Sequence, residues 1–482
     1  MLRFLRPVLF VCGILVLIMA GLMLSVAVFA WWRQDPEMQV FLTSFAVTLG
    51  CGLAMVLGCR DKGFHLVSRQ LYLLTSLSWV LLSLFGALPL FFSHFQLSAE
   101  DAVFEAVSGI TTTGSTILSG IEHLAPSLLL WRSLLQWIGG LGVIGMAVSI
   151  LPFLRVGGMR LFHTESSDWS DKSIPRVQSL ARMLVATYLG LTVSCVFSYW
   201  LAGMNLFDAI CHAFSTVAIG GFSTYDGSIG HFNSPVIDMI AVVFMFLAGV
   251  NFSLHFLAWR DTSLKGYLLD SEFRAYLKFL CCLTAVVLLY LYWVGYYGTL
   301  FDTFTKGLFQ VVSISTTTGF TTTDFAAWPG ALPIILILSS FVGGCAGSTA
   351  GGMKVIRWLL MYKQGLREVQ RLVHPSAEIP VKLGSRRVHH RVVDAVWGFF
   401  AVYVVVFGVL LIIQLASGLE VVSAFAAVAV TLNNLGPGLG EVASGFGDVS
   451  AVGKWSAVCG MLLGRLEIFT LLVLITPTFW RP

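Results

Sequence analysis

Four short polar segments recur inside an otherwise apolar chain, and they constrain its fold more than any other feature. They are SGITTTGS (Ser108–Ser115), STVAIGGF (Ser215–Phe222), SISTTTGF (Ser313–Phe320) and VTLNNLGP (Val430–Pro437). Each follows an apolar stretch too short to cross a bilayer and precedes a long hydrophobic run. Irregular backbone at membrane depth is tolerated only where protein surrounds it or where it lines a water-filled cavity. Four such segments in one polypeptide therefore imply a pseudo-fourfold ring about a common axis, the arrangement of an ion-conducting protein.

The rest of the chain supports a membrane setting. Of 482 residues, 57% are hydrophobic and only 11% charged, whereas a soluble chain carries about a quarter charged residues. Apolar runs of roughly 20 or more residues fall at 8–31, 38–58, 70–93, 127–153, 182–203, 235–258, 276–297, 331–361 (interrupted), 392–417 and 450–477. These predict ten crossings with both termini on one side. The first run follows Arg3 and Arg6, but it is long and lacks a clear small-residue cleavage site, so it is expected to be a retained helix. One set of connecting segments, made of the N-terminus, 59–69, 155–182, 260–278, 354–391 and the C-terminus, holds 24 of the 29 Lys and Arg residues. By the positive-inside rule that set is cytoplasmic. The net charge of +4 is thus a topology signal and not a sign of nucleic-acid binding.

Aligning Gly114, Gly221, Gly319 and Gly436 brings the four units into register. The preceding columns read Thr111-Thr112-Thr113, Ala218-Ile219-Gly220, Thr316-Thr317-Thr318 and Asn433-Asn434-Leu435. Small residues stand further back, at Ala102, Ala209, Gly307 and Ala424, and Ser108, Ser215, Ser313 and Val430 stand between. A second glycine follows in the next helix of each unit, at Gly140, Gly249, Gly344 and Gly464. The expected fold is all-α and polytopic, with four helix–pore loop–helix repeats around a central pore and two helices before them. The expected units are a two-helix preface at 1–62 and repeats at 63–160, 161–262, 263–375 and 376–482. The residue types suit cation chemistry. Main-chain carbonyls can replace a cation's hydration shell, glycine reaches the φ > 0 conformations that turn a carbonyl inward, and threonine adds a stiff hydroxyl. Short helices ending at the ring present their partially negative C-termini to it. The ring carries no carboxylate, which favours a monovalent ion over calcium.

These segments resemble the Trk/Ktr/HKT superfamily of potassium transporters, most closely its bacterial Trk-type membrane subunits. The resemblance rests on AVSGITTTGST (106–116), FSTVAIGGFST (214–224), SISTTTGFTTTDF (313–325), TLNNLGPGLG (431–440) and GRLEIFT (464–470), and it spans essentially the whole chain. It implies one filter glycine per repeat and a multi-pass protein of the inner membrane. It also implies a homodimer and a cytosolic regulatory partner that binds a nucleotide of the NAD or ATP class. Gly114 stands where some plant relatives that pass sodium have serine, which favours potassium. The NNLG of the fourth repeat departs from TTTG, leaving its side-chain role open.

Two further features concern gating. The segment 343–352, GGCAGSTAGG, places Gly343, Gly344, Gly347, Gly351 and Gly352 inside what should be a spanning helix. Each glycine costs a helix about 1 kcal/mol relative to alanine. A broken helix with a flexible loop beneath the filter is expected, and the resemblance implies the same gating loop; close helix packing through small residues is the alternative. Lys354 and Arg357 would mark the cytoplasmic mouth. Arg465 falls in mid-helix, in the column of Leu141, Val250 and Cys345. An intramembrane arginine faces a cavity or a partner, so it either lines the pore wall below the filter or pairs with Glu467.

Other chemistries find little support. Gly140-Leu-Gly142-Val-Ile-Gly145 matches a dinucleotide fingerprint but lacks the strand that such a site requires. The nine cysteines show no CxxC spacing and the ten histidines no HxxxH pair, so no cofactor or metal beyond a transported potassium ion is expected. No nucleophile–base pair suggests an enzyme. A potassium symporter coupled to sodium or protons is the alternative to a pore, with Glu467 as the clear mid-helix carboxylate. The basic stretches 155–182 and 354–391 fit either anionic lipid headgroups or a docking partner.

Overall fold

The computed structural model describes residues 2–60, 67–149, 175–384 and 386–481. Most of the basic segment 155–182, and the expected unit boundaries near 62 and 160, lie outside the described residues. The fold is all-α apart from one short hairpin, in which Lys382 pairs with Arg387 and Leu383 with Arg386.

Two long helices, α1 (Leu2–Arg33) and α2 (Met38–Gly58), pack against each other ahead of the repeats. Repeat one consists of α3 (Ser68–Phe91), the short α4 (Ala99–Ile110) and α5 (Pro126–Ser149). Repeat two consists of α6 (Pro175–Leu201), the short α7 (Leu206–Ala218), α8 (Pro235–Ala248) and α9 (Phe252–Arg260). A small helix, α10 (Lys265–Leu269), leads into repeat three, which contains α11 (Ser271–Val294), the short α12 (Leu300–Ser315), α13 (Leu332–Ser339) and α14 (Val355–Val373). Repeat four has α15 (His390–Ala416), the short α16 (Val421–Asn433), α17 (Ala451–Arg465) and α18 (Phe469–Ile475), and α19 (Pro477–Trp480) closes the chain.

The short helices begin on local capping chemistry. Ser98, Asn205 and Thr299 each accept a hydrogen bond from the backbone of the residue three positions on, which is Asp101, Asp208 and Asp302. Such caps satisfy donors that a helix start otherwise leaves orphaned. The fourth, behind Glu420, has no side-chain cap bond.

Two spans that read as continuous in the sequence are broken. The 235–258 run bends by 95° between α8 and α9, and the 450–477 run bends by 112° between α17 and α18. Asn251 caps α9 by accepting from Ser253 N, which starts a new helix where the old one ends. Glu467 and Ile468 take φ of 57° and 45°, angles no α-helix allows. Seven described helices are long and apolar enough to cross a bilayer, or up to nine if each bent pair forms one span. The interrupted 331–361 run, expected as the remaining crossing, divides into α13, the glycine-rich loop and α14.

Burial concentrates around the short helices. Ten of the thirteen residues of α16 are buried, from Ser423 to Asn433, and Ala102, Ala209 and Ala424 are wholly enclosed. Small side chains at these columns let the short helices sit close to their neighbours.

Candidate functional site

The four glycines form a closed ring. Gly114, Gly221, Gly319 and Gly436 have φ of 84°, 81°, 84° and 104°. A side chain on Gly114 would collide with Gly220 O of repeat two, one on Gly221 with Thr318 O of repeat three, and one on Gly319 with Leu435 O of repeat four. The circuit completes with Gly436, whose added Cβ would lie 3.0 Å from Thr113 O of repeat one. Each repeat therefore touches the next in order, and the fourth returns to the first.

A second quartet repeats the geometry two residues earlier. Thr112, Ile219, Thr317 and Asn434 all adopt left-handed backbone, with φ of 53°, 55°, 68° and 55°. Such conformations cost about 1–3 kcal/mol for a residue with a side chain and persist only where surroundings enforce them. The enforcement is visible. Thr113, Gly220, Thr318 and Leu435 each donate their N–H to the carbonyl five residues back, on Ser108, Ser215, Ser313 and Val430, at 2.8–2.9 Å.

Side chains brace the strands. Thr111 Oγ1 and Thr113 Oγ1 lie 2.7 Å apart, and the matching Thr316 and Thr318 hydroxyls 2.8 Å apart. Ser108 Oγ donates to Ser115 O and Ser313 Oγ to Phe320 O. Gln136 Nε2 donates to Gly220 O at 2.7 Å, and Ser115 Oγ donates to Gly436 O at 2.8 Å. These two bonds thus tie repeat one to repeats two and four. The two asparagines of the NNLG segment are tied to neighbouring elements. Asn433 Oδ1 accepts from the Tyr403 hydroxyl and Asn433 Nδ2 donates to Ser340 Oγ, while Asn434 Nδ2 donates to Thr113 Oγ1 and Met461 O.

Nine positions before the filter glycines stand Glu105, His212, Gln310 and Ala427, a column that the sequence reading overlooked. Glu105 is fully buried and accepts from Thr116 Oγ1, Ile117 N and Arg132 Nε, the last at 2.8 Å. Arg132 also donates to Ser223 O and lies 4.1 Å from the centre of the Phe222 ring. His212 Nε2 sits 2.9 Å from Ser223 Oγ, and Gln310 Nε2 donates to Thr323 O. Three repeats thus anchor the strand leaving the ring onto their own short helix. On the adjoining loop, burial and the hydrogen bond that it donates to Asp208 push the Tyr225 phenol up to about 12, so it remains a donor. The recurrence of polar residues at one column was the available signal, and it is hidden because the residue type changes each time.

The glycine-rich loop lies against the glycine ring. Gly351 N donates to Thr317 Oγ1 at 2.7 Å and Gly352 N to Asn433 O at 3.0 Å. Thr349 Oγ1 donates to Val217 O, Cys345 N to Gly249 O, and Phe252 N to Gly347 O. Gly343, Gly347 and Gly352 have φ of 67°, 73° and 69°. Beyond them Lys354, at φ 76°, bonds back to Ala350 O. The loop therefore has defined contacts in repeats two, three and four, which rules out a simple small-residue helix crossing for this segment.

Arg465 points at this loop. Its Nη1 donates to Thr349 O at 3.0 Å, and Nε and Nη2 are buried with no partner among the described residues. Its expected alternative partner, Glu467, is taken by Arg357, with Nη2–Oε2 at 2.6 Å. The bend between α17 and α18 separates Arg465 from Glu467, so neighbours in sequence face different surroundings. The expected mid-helix carboxylate, Glu467, in fact sits in the turn between α17 and α18, whereas Glu105 is a carboxylate buried within a short helix.

Comparison with known proteins agrees with this architecture. Residues 37–481 match the family model TrkH, described as a cation transport protein. The chain is 48% identical over 481 residues to the Trk system potassium uptake protein TrkH of Vibrio parahaemolyticus, covering 99% of each. It is 46% identical to TrkH and 37% identical to TrkG of Escherichia coli, again over 99% of each chain. The crystal structure of the potassium transporter TrkH from Vibrio parahaemolyticus superimposes with a TM-score of 0.93 at 47% identity, covering 99% of both chains. A chain matched along nearly its whole length in both sequence and fold belongs to the TrkH family of cation transport proteins, transporters and not enzymes.

Proposed function

We propose that this chain is a potassium uptake pore of a bacterial inner membrane, with both termini cytoplasmic. The single observation that carries this reading is the closed circuit of Gly114, Gly221, Gly319 and Gly436. Only a ring assembled from all four repeats can offer carbonyl oxygens from every side to a dehydrated monovalent ion. The names of the relatives, potassium uptake proteins over their full length, support potassium as the ion. Sixteen backbone positions contribute to the ring, at 111–114, 218–221, 316–319 and 433–436. A negative-inside potential favours each entering cation by ~2.3 kcal/mol per 100 mV, so uptake needs no catalytic step.

Gating follows from the loop at 343–352, which hydrogen-bonds to the filter strands and blocks the path behind them. Arg465 adds a fixed positive charge at the loop, opposing a cation until the loop moves. Opening would be driven from the cytoplasmic side by a nucleotide-binding regulatory Trk subunit, acting on a homodimer of this chain. The basic residues of 354–391 favour that side as the docking face.

Reconstituted protein is expected to take up rubidium against a small excess of sodium. Equal inhibition of uptake by sodium and potassium would refute the filter assignment. Discrete openings in single-channel records are expected; strictly coupled sodium or proton movement without them would replace the pore by a symporter.

A further inference from the structure

Glu272 stands in the first turn of α11 and is 7% exposed. One of its oxygens, Oε1, accepts two backbone hydrogen bonds, from Ala346 N at 2.7 Å and from Ile356 N at 3.2 Å. One of these amides lies within the glycine-rich loop and the other just beyond it. Ala346 follows its first glycine pair, and Ile356 belongs to the first turn of α14 just after it.

We propose that Glu272 is the clasp that holds the gating loop shut, a positioning residue that acts through the loop and never touches the ion. This inference rests on the reading of 343–352 as the gate. Backbone bonds from Val355 N to Gly344 O and from Met353 N to Phe341 O also join the two ends. Those bonds lie within the loop's own segment and travel with it, whereas Glu272 ties the loop to a different helix.

Physical chemistry makes this a directed contact. The first amides of a helix lack internal partners, and the start of α14 carries the positive end of its dipole. A carboxylate placed there satisfies an orphan donor and the dipole together, and the same oxygen fixes Ala346. The clasp is also well placed to be released. Glu272 follows directly on the connector of α9 and α10, and Asp270, which caps α11 by accepting from Phe273 N at 2.6 Å, makes connector and helix one mechanical piece. The connector's other contacts run to the same region: His255 bonds the Tyr267 hydroxyl and Leu247 O. A displacement of this connector carries Glu272 with it and withdraws both of its bonds from the loop segment at once.

Cys345, 1% exposed and adjacent to Ala346, supplies a native reporter. In a chain whose other cysteines are replaced, Cys345 modification by a soluble thiol reagent, basal rubidium flux and the rubidium-to-sodium ratio are measured together. Glu272→Ala is expected to accelerate Cys345 modification about tenfold, as for the loss of a hydrogen bond to a charged group, and to raise basal flux with the ion ratio unchanged. Glu272→Gln, which keeps an acceptor oxygen without the charge, is expected to fall between the two. Modification at the wild-type rate in both variants overturns the clasp. Faster modification with unchanged flux upholds the clasp and removes the loop from the gate. Should Glu272→Ala fail to assemble, Glu272→Gln alone decides, a wild-type rate counting against the inference.

Discussion

Asn434 Nδ2 donates to Thr113 Oγ1 at 2.9 Å, joining ring strands 321 residues apart in the chain. The same amide reaches Met461 O at 3.0 Å, so the departure from TTTG in the fourth repeat is a seam that locks the ring. Asparagine also tolerates the left-handed backbone at this position better than most residues. Asn434→Ala removes both bonds and is expected to cost about 1–3 kcal/mol. Thermal unfolding in detergent would show a lowered midpoint, and rubidium uptake would show more competition by sodium. An unchanged midpoint and selectivity would deny the seam.

The ring is unequal around its circuit. Alanine at Gly114, Gly221 or Gly319 drives a methyl group into a neighbouring carbonyl, whereas at Gly436 the nearest oxygen is 3.0 Å away. Gly436→Ala is therefore expected to retain the most rubidium uptake of the four alanine variants, although its φ of 104° keeps it strained. Gly114→Ser is expected to admit sodium. Equal loss at all four positions would mean that backbone strain, and not the contact with the next repeat, sets the cost.

Gly351 lies where the loop meets the ring strands, and a methyl group there would strike Asn433 O and approach Thr317 Oγ1 to 3.0 Å. Gly351→Ala cannot seat the loop as observed. Basal rubidium flux into proteoliposomes is expected to rise several-fold, because the loop must stand off from the strands that it covers. A flux at or below wild type would place the barrier elsewhere.

The Glu105–Arg132 pair is buried on both sides and shares its hydrogen bonds with Thr116, Ile117 and Ser223. Removing one partner leaves the other charge uncompensated, at a cost of about 3–5 kcal/mol. Arg132→Met is expected to destabilise more than the double variant Glu105→Gln with Arg132→Met. Thermal melts of both single variants and the double one close the cycle; strict additivity would show that the pair does not act as a unit.

Much of the candidate site was legible because its signals are local. A left-handed glycine, a run of bilayer length and a capping residue each leave a mark within a few positions, so the four glycine-bearing strands and the broken helix of repeat three could be placed from residue order. The bends at Asn251 and at Glu467–Ile468 were not legible, since both sit in runs apolar enough to pass for single spans. The Glu105, His212 and Gln310 column escaped notice because a carboxylate, an imidazole and an amide perform one bracing task through different atoms.

What residue order by itself determined is the repertoire: apolar lengths, four polar strands, and glycines free to take φ that side chains resist. Those properties belong to each segment alone, so they can be read without knowing its neighbours. Tertiary structure alone decided who meets whom. It closed the ring from Gly436 back to Thr113, turned Arg465 to Thr349 and gave Glu467 to Arg357, and set Glu272 against the amides of Ala346 and Ile356. Hydrogen bonds and ion pairs act over a few ångströms of space whatever the separation along the chain, and only the packed helices bring those atoms within reach.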